Sequence, residues 1–214
     1  MVLTSALPEP PPPTQCLYDK VLESAQKSAD RDPQAAAFIL ADENFRSLTF
    51  TEFVATTKKA MTYFHKKGIK PGDSVCTVMS APFEYLVSTI SVQACGGIIT
   101  GVILNLSGYE MNMVFKHLNC TMILTSEELL PVVLESSKGI ESNIVCLNNS
   151  GKPLPAGVID WKDVLNTTAE PIPKLPFDPE RVIFRPFSSG TTGRSKAVEL
   201  TNRNCLAAYD GYYA

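Results

Sequence analysis

Two apolar runs, Ser74-Val75-Cys76-Thr77-Val78-Met79 and Ile98-Ile99-Thr100-Gly101-Val102-Ile103-Leu104, decide the fold together with the segment Pro82 to Cys95 between them. Each run is apolar without alternation, as expected of a strand covered on both faces. Pro82 suits the first turn of a helix, and Gly96-Gly97 suits its end. The stretch Tyr85 to Tyr109 carries no charged residue. It reads as a buried helix followed by a buried strand, not as a bilayer span, because Ser88, Thr89, Ser91, Gln93 and the glycine pair interrupt it.

The same rhythm extends outward. Ser107 with Glu110 forms a capping box that opens a helix to about Leu118, and Thr121 to Leu124 is a third strand. Ser126 is expected to cap a helix through Ser137, and Asn143 to Leu147 is a fourth strand. Strand and helix alternate, which predicts an α/β fold with a mostly parallel sheet flanked by helices. Upstream, Leu17, Val21, Leu22 and Ala25 share a helical face. Ala36 to Ala41 and Arg46 to Phe50 form a hairpin around Asp42-Glu43-Asn44. Thr49 with Glu52 caps a helix that Gly68 closes. Downstream, Asp160 to Leu165 reads as a short helix and Val182 to Phe187 as a strand. The expected organisation is a disordered Pro-rich terminus at 1–15, an α/β subdomain at 16–169, a Pro-rich connector at 170–180, and at 181–214 a phosphate-loop hairpin with the start of a second, incomplete subdomain.

Composition narrows the function. The 214 residues are 44% hydrophobic and 19% charged with a net charge of -3, which argues against a nucleic-acid binder. Cys16, Cys76, Cys95, Cys120, Cys146 and Cys205 are scattered without a C-x-x-C pair, so buried free thiols are expected and no metal site. His65 and His117 stand near predicted helix ends, as surface or capping residues. Met1 to Leu7 is too short for a signal-peptide core before the run Pro8-Glu9-Pro10-Pro11-Pro12-Pro13. The expectation is a cytoplasmic or peroxisomal protein, not a secreted one.

The chemistry lies in Ser188-Ser189-Gly190-Thr191-Thr192-Gly193-Arg194-Ser195-Lys196. Holding a polyphosphate takes N–H donors at close range and a cation. Glycine lets the backbone approach, hydroxyls add donors, and Lys196 supplies a compact charge. A Walker A loop reads G-x-x-x-x-G-K-[ST] and opens into a helix. Here Lys196 follows Gly193 by three residues, and Ala197-Val198-Glu199-Leu200 reads as a strand. The loop is therefore expected at a hairpin, with Asn202 capping a later helix.

Phe187 to Asn204, through this loop, closely resembles the signature of the adenylate-forming superfamily, which includes acyl-CoA synthetases, 4-coumarate:CoA ligases, firefly-type luciferases and peptide-synthetase adenylation domains. Leu48-Thr49-Phe50-Thr51-Glu52-Phe53, Lys70-Pro71-Gly72-Asp73-Ser74-Val75 and Ala94-Cys95-Gly96-Gly97-Ile98 resemble earlier segments of that family, in the same order. The resemblance implies the N-terminal part of the family's large domain. It also implies a two-step reaction. A carboxylate attacks the α-phosphate of Mg2+-bound ATP to give an acyl-adenylate and pyrophosphate, and CoA then takes the acyl group. Ser188, Ser189, Gly190, Thr191, Thr192, Gly193 and Lys196 match the positions that bind ATP, with Lys196 as an electrostatic stabiliser of the departing pyrophosphate.

Some residues depart from the family pattern. Arg185 replaces an aliphatic residue and is expected to face outward in a salt bridge. Arg194-Ser195, Ala197 and Asn202 replace a frequent Leu-Pro, a glycine and a histidine. The family's later segments have no counterpart here. The expected function is that of an N-terminal fragment of an AMP-forming carboxylate:CoA ligase, inactive alone. The alternatives are a catalytically silent module of the same fold with a binding or regulatory role, and an unrelated α/β nucleotide-binding protein, which a helix directly after Lys196 would favour.

Overall fold

Strand β3 (Ser74–Val78) lies between β4 (Ile98–Gly101) and β5 (Cys120–Ser126), parallel to both, and its five residues are all buried. This is a computed structural model that describes residues 12–41, 44–188 and 196–212. The sheet continues through β6 (Asn143–Leu147) and β7 (Val158–Asp160) on one side and β8 (Val182–Phe184) and β11 (Leu200–Thr201) on the other. Its order is β11-β8-β4-β3-β5-β6-β7, parallel except for the antiparallel edge strand β11. The expected parallel α/β architecture is present.

Alternation along each strand sends side chains to two separate cores. Val75, Ile99, Met122, Leu124 and Val145 face one side. There they meet α1 (Leu17–Arg31), α2 (Phe50–Lys66), α3 (Pro82–Ala94) and α6 (Trp161–Leu165). Cys76, Val78, Cys120, Ile123 and Cys146 face the other side, against α4 (Gly108–His117) and α5 (Leu130–Ser136). Both faces are apolar because both are covered. A small antiparallel ribbon, β1 (Ala36–Ile39) with β2 (Ser47–Thr49), leads into α2.

Local chemistry sets the helix ends. Both capping boxes form: Thr49 with Glu52 on α2 and Ser107 with Glu110 on α4. After α3, Gly96 takes a φ of +87°. A Cβ there would stand 2.8 Å from Pro71 Cγ and 2.9 Å from Leu175 Cδ1. This is a left-handed helix stop packed too tightly for any side chain. Ser126 does not cap a helix through its side chain. Its hydroxyl donates to Glu128 Oε1 at 2.6 Å, and a 3-10 turn, Glu127–Leu129, precedes α5. The cause is Pro131, which cannot donate to the Glu127 carbonyl and so must lie in the first turn of its helix. The strand expected over Ile98 to Leu104 ends at Gly101, leaving Ile103 and Leu104 exposed. Residues 170–180 run without regular structure, held where Thr62 Oγ1 and the Glu170 backbone exchange two 2.9 Å bonds. Among the described residues no helix is long and apolar enough to cross a membrane.

Substitutions at the helix ends test these causes. Gly96→Ala lowers stability by about 2 kcal/mol through backbone strain and overpacking. Gly68→Ala costs less, because Gly68 has a comparable φ of +85° but nothing within 4 Å; urea unfolding of the two variants makes the comparison. The Glu52 carboxyl is held below the ordinary carboxylate range by the Thr49 amide and hydroxyl, and that of Glu110 by the Ser107 hydroxyl and amide. A carboxylate with a lowered folded pKa stabilises the fold above its unfolded pKa and loses that contribution as pH falls through the folded one. The double variant Glu52→Gln/Glu110→Gln therefore loses less stability than the unmodified chain between about pH 5 and 3, as followed by thermal melts.

Candidate functional site

The segment after β8 rises as β9 (Phe187–Ser188), and β10 (Lys196–Ala197) returns antiparallel to it. Lys196 stands opposite Ser188, and Ala197 opposite Phe187. Phe187 and Ala197 pack on the core beneath α4 and α5. Directly paired residues share a face and neighbours alternate, so Ser188 and Lys196 both point away from that core. Both are exposed. Of the residues expected to hold phosphate, Ser189, Gly190, Thr191, Thr192 and Gly193 lie outside the described residues. The two that are described form a facing pair at the base of the loop.

The strand expected over Ala197 to Leu200 is divided into β10 and β11. Pro186, on the outgoing side, has no N–H to donate, so the ladder is incomplete there. One bond survives, from Val198 N–H to the Pro186 carbonyl at 2.8 Å. Leu200 and Thr201 then pair with Phe184 and Val182. Helix α7 (Asn202–Tyr212) begins only after β11, so Lys196 is not followed by a helix.

Arg185 is bound differently from the expected outward-facing pair. Its side chain is only 18% exposed. NH2 donates to Glu199 Oε1 at 2.8 Å and NH1 to Ser74 Oγ at 3.0 Å. Nε is buried without a hydrogen-bond partner among the described residues. A cavity of about 710 Å³ opens beside it, lined by Asp73, Ser74, His117, Asn119 and Glu199 among others.

Asn202 also has an unexpected role. The helix cap is Thr201, whose Oγ1 accepts from Asn204 N–H while its own N–H donates to Asn204 Oδ1. Asn202 is 1% exposed and turns inward. Its Oδ1 accepts from Leu17 N–H at 3.2 Å, and its Nδ2 donates to the Asp178 carbonyl at 3.0 Å. Leu17 opens α1, whose N-cap Cys16 makes no side-chain cap bond. Asn202 thus serves an N–H group that a helix start leaves without an intrahelical partner. The cap expected at Asn202 thus falls one residue earlier, on Thr201, and local spacing cannot show that Asn202 has a partner 185 residues away.

All six cysteines are free and five are buried. The Cys76 thiol is pushed well up by its hydrogen bond with Cys120 and by burial, Cys95 up to about 12 by burial, and Cys146 up to about 11, mainly by burial. These three thiols stay protonated near neutral pH and are packing groups, not nucleophiles. Among the described residues no three His, Cys, Asp or Glu side chains gather to hold a metal.

The family described as "AMP-binding enzyme" matches residues 25–213. The chain belongs to that family. Acyl-CoA synthetase 7 of Caenorhabditis elegans is 27% identical over 190 residues, 88% of this chain and 35% of that protein. 4-coumarate--CoA ligase 2 of Oryza sativa subsp. japonica is 25% identical over 182 residues, 80% of this chain and 32% of that protein. The chain spans about one third of the length of these relatives. Among solved structures, the luciferase-like enzyme of the nonluminescent mealworm Zophobas morio shares the fold with a TM-score of 0.82 and 20% identity, over 95% of this chain and 47% of that one. A long-chain-fatty-acid-CoA ligase from Archaeoglobus fulgidus does so at 0.77 and 22%, over 96% and 40%. The chain is thus similar to acyl-CoA synthetases and 4-coumarate-CoA ligases, as the resemblance implies.

Asn202→Ala leaves Leu17 N–H without its partner, leaves the Asp178 carbonyl with only the Arg181 N–H at 3.3 Å, and lowers stability by about 2 kcal/mol. Asn202→Asp keeps the acceptor for Leu17 but turns an oxygen toward the Asp178 carbonyl and buries a charge, so it does not restore stability; urea denaturation of both variants measures it.

Proposed function

We propose that residues 188–196 hold the β- and γ-phosphates of ATP and that, in a ligase of its relatives' length, they serve AMP-forming activation of a carboxylic acid followed by transfer to CoA. The observation that carries this reading is the facing pair of Ser188 and Lys196, both exposed on the side away from the core. Between them run Ser189, Gly190, Thr191, Thr192, Gly193, Arg194 and Ser195, a stretch rich in hydroxyls and glycine. A hydroxyl and an ammonium on one face at the root of such a loop suit an anionic ligand.

In the proposed reaction a carboxylate oxygen bonds to the α-phosphorus as the bond to the bridging oxygen of pyrophosphate breaks. Negative charge grows on the departing pyrophosphate. Lys196 and the loop hydroxyls meet that charge where it develops, which lowers the barrier more than equal binding of the ground state would. Mg2+ carried on the phosphates would neutralise part of their charge, and we assign its contacts to none of this chain's carboxylates. In the second step the CoA thiol bonds to the acyl carbon as the bond to the AMP oxygen breaks and AMP leaves, and this step draws on groups outside the described residues.

Lys196→Ala, in a ligase containing this chain, slows ATP–pyrophosphate exchange about a hundredfold, the scale of losing one preorganised charge donor. Exchange at the unmodified rate would remove Lys196 from the reaction.

A further inference from the structure

The phosphate-loop hairpin is weakly tied by its backbone just below the loop. Pro186 interrupts the ladder, and the register slips between Leu200 and Thr201. Arg185 and Glu199 flank this gap, each three residues from the facing pair Ser188 and Lys196. The Arg185 guanidinium closes the gap by reaching Glu199 on the return side at 2.8 Å. Its second arm crosses β4 to Ser74 Oγ on β3, at 3.0 Å, and its backbone N–H donates to the Ile99 carbonyl on β4 at 3.0 Å.

We propose that Arg185 is a positioning residue for the phosphate loop: it locks both strands of the hairpin to each other and to the central parallel strand. The proposal rests on the reading of residues 188–196 as a phosphate holder. Only arginine suits the position, because one planar group must donate in two directions at once. Lysine has a single nitrogen and cannot span Glu199 and Ser74 with the same fixed geometry. The Glu199 arm alone is weak, since that carboxylate is more than half exposed. The Ser74 arm ends on a serine that is 2% exposed, and it anchors the clamp. A hairpin free to rock at Pro186 would carry the loop off its ligand, and small displacements of a positioning group cost binding and rate steeply.

The test uses this chain with Arg185→Met, Arg185→Lys and Glu199→Gln. Amide hydrogen exchange reads the clamp without any ligand, and titration with Mg2+ and inorganic pyrophosphate reads the loop. In Arg185→Met, exchange at Val198 and Leu200 speeds up about tenfold while amides of β3 and β5 keep their protection. Pyrophosphate affinity falls about fivefold, a loss that a purely structural residue with intact sheet protection would not produce. Arg185→Lys recovers part of both, and Glu199→Gln shows the smaller loss of one arm. If Arg185→Met does not fold, the Lys and Gln variants carry the same two readouts. Unchanged exchange and unchanged affinity in the variants overturn the clamp. An unmodified chain that takes up no pyrophosphate overturns the loop reading instead, and the clamp's function with it, while the exchange data still report whether the hairpin is tied.

Discussion

A parallel strand in the middle of a sheet has no access to water on either face, and β3 occupies that position here. Its side chains meet α1, α2 and α3 on one side and α4 and α5 on the other, and its backbone is paired on both edges. A run such as Ser74 to Val78 therefore carries no charged residue and holds only small hydroxyls, those of Ser74 and Thr77, among its apolar side chains, and a helix must cross over before the next parallel strand begins. The ends of those crossovers are set by small local devices: two capping boxes, a proline in a first turn and a glycine in the left-handed region. Each is worth little alone. Together they set which face of each helix turns inward.

The hairpin that carries Ser188 and Lys196 depends on this frame and contributes little to it. Its outgoing strand β8 pairs with β4 at the edge of the parallel region, and its return strand β11 caps that edge. Beyond Phe184 the ladder thins, and side chains take over from backbone. Phe187 and Ala197 rest on the core, while Arg185 and Glu199 bridge the interruption at Pro186. Sheet pairing below and side-chain ties above would suit the proposed role of residues 188–196 in holding phosphate.

Most of the frame was legible in the sequence because its causes are local. Apolar runs, cap residues and glycine stops act within a few positions, so Ser74 to Leu147 could be divided into strands and helices with small errors at the ends. The errors have local causes as well: Pro131 forces a tighter turn after Ser126, and Pro186 divides the return strand. The candidate site was legible in its residue types, which suggest phosphate, and in the absence of a helix after Lys196. What the sequence hid is tertiary. Nothing around Arg185 announces that its guanidinium crosses a strand to reach Ser74, and nothing around Asn202 announces Leu17. Such partners are chosen by strand order, and strand order is not written in any short window.

The bond between Asn202 and Leu17 also bears on the order in which the chain comes together. Helix α1 is made before α7, so a donor in its first turn waits for a side chain made 185 residues later. Strand β4 likewise lacks its partner β8 until the connector has been made. Docking of α7 on α1 is thus a long-range event, in which the two helices are joined by the buried Asn202 amide and by the pair of Lys20 with Asp210. A nascent chain halted just before residue 202 would hold all seven strands of the described sheet and an α1 whose first turn still lacks its acceptor.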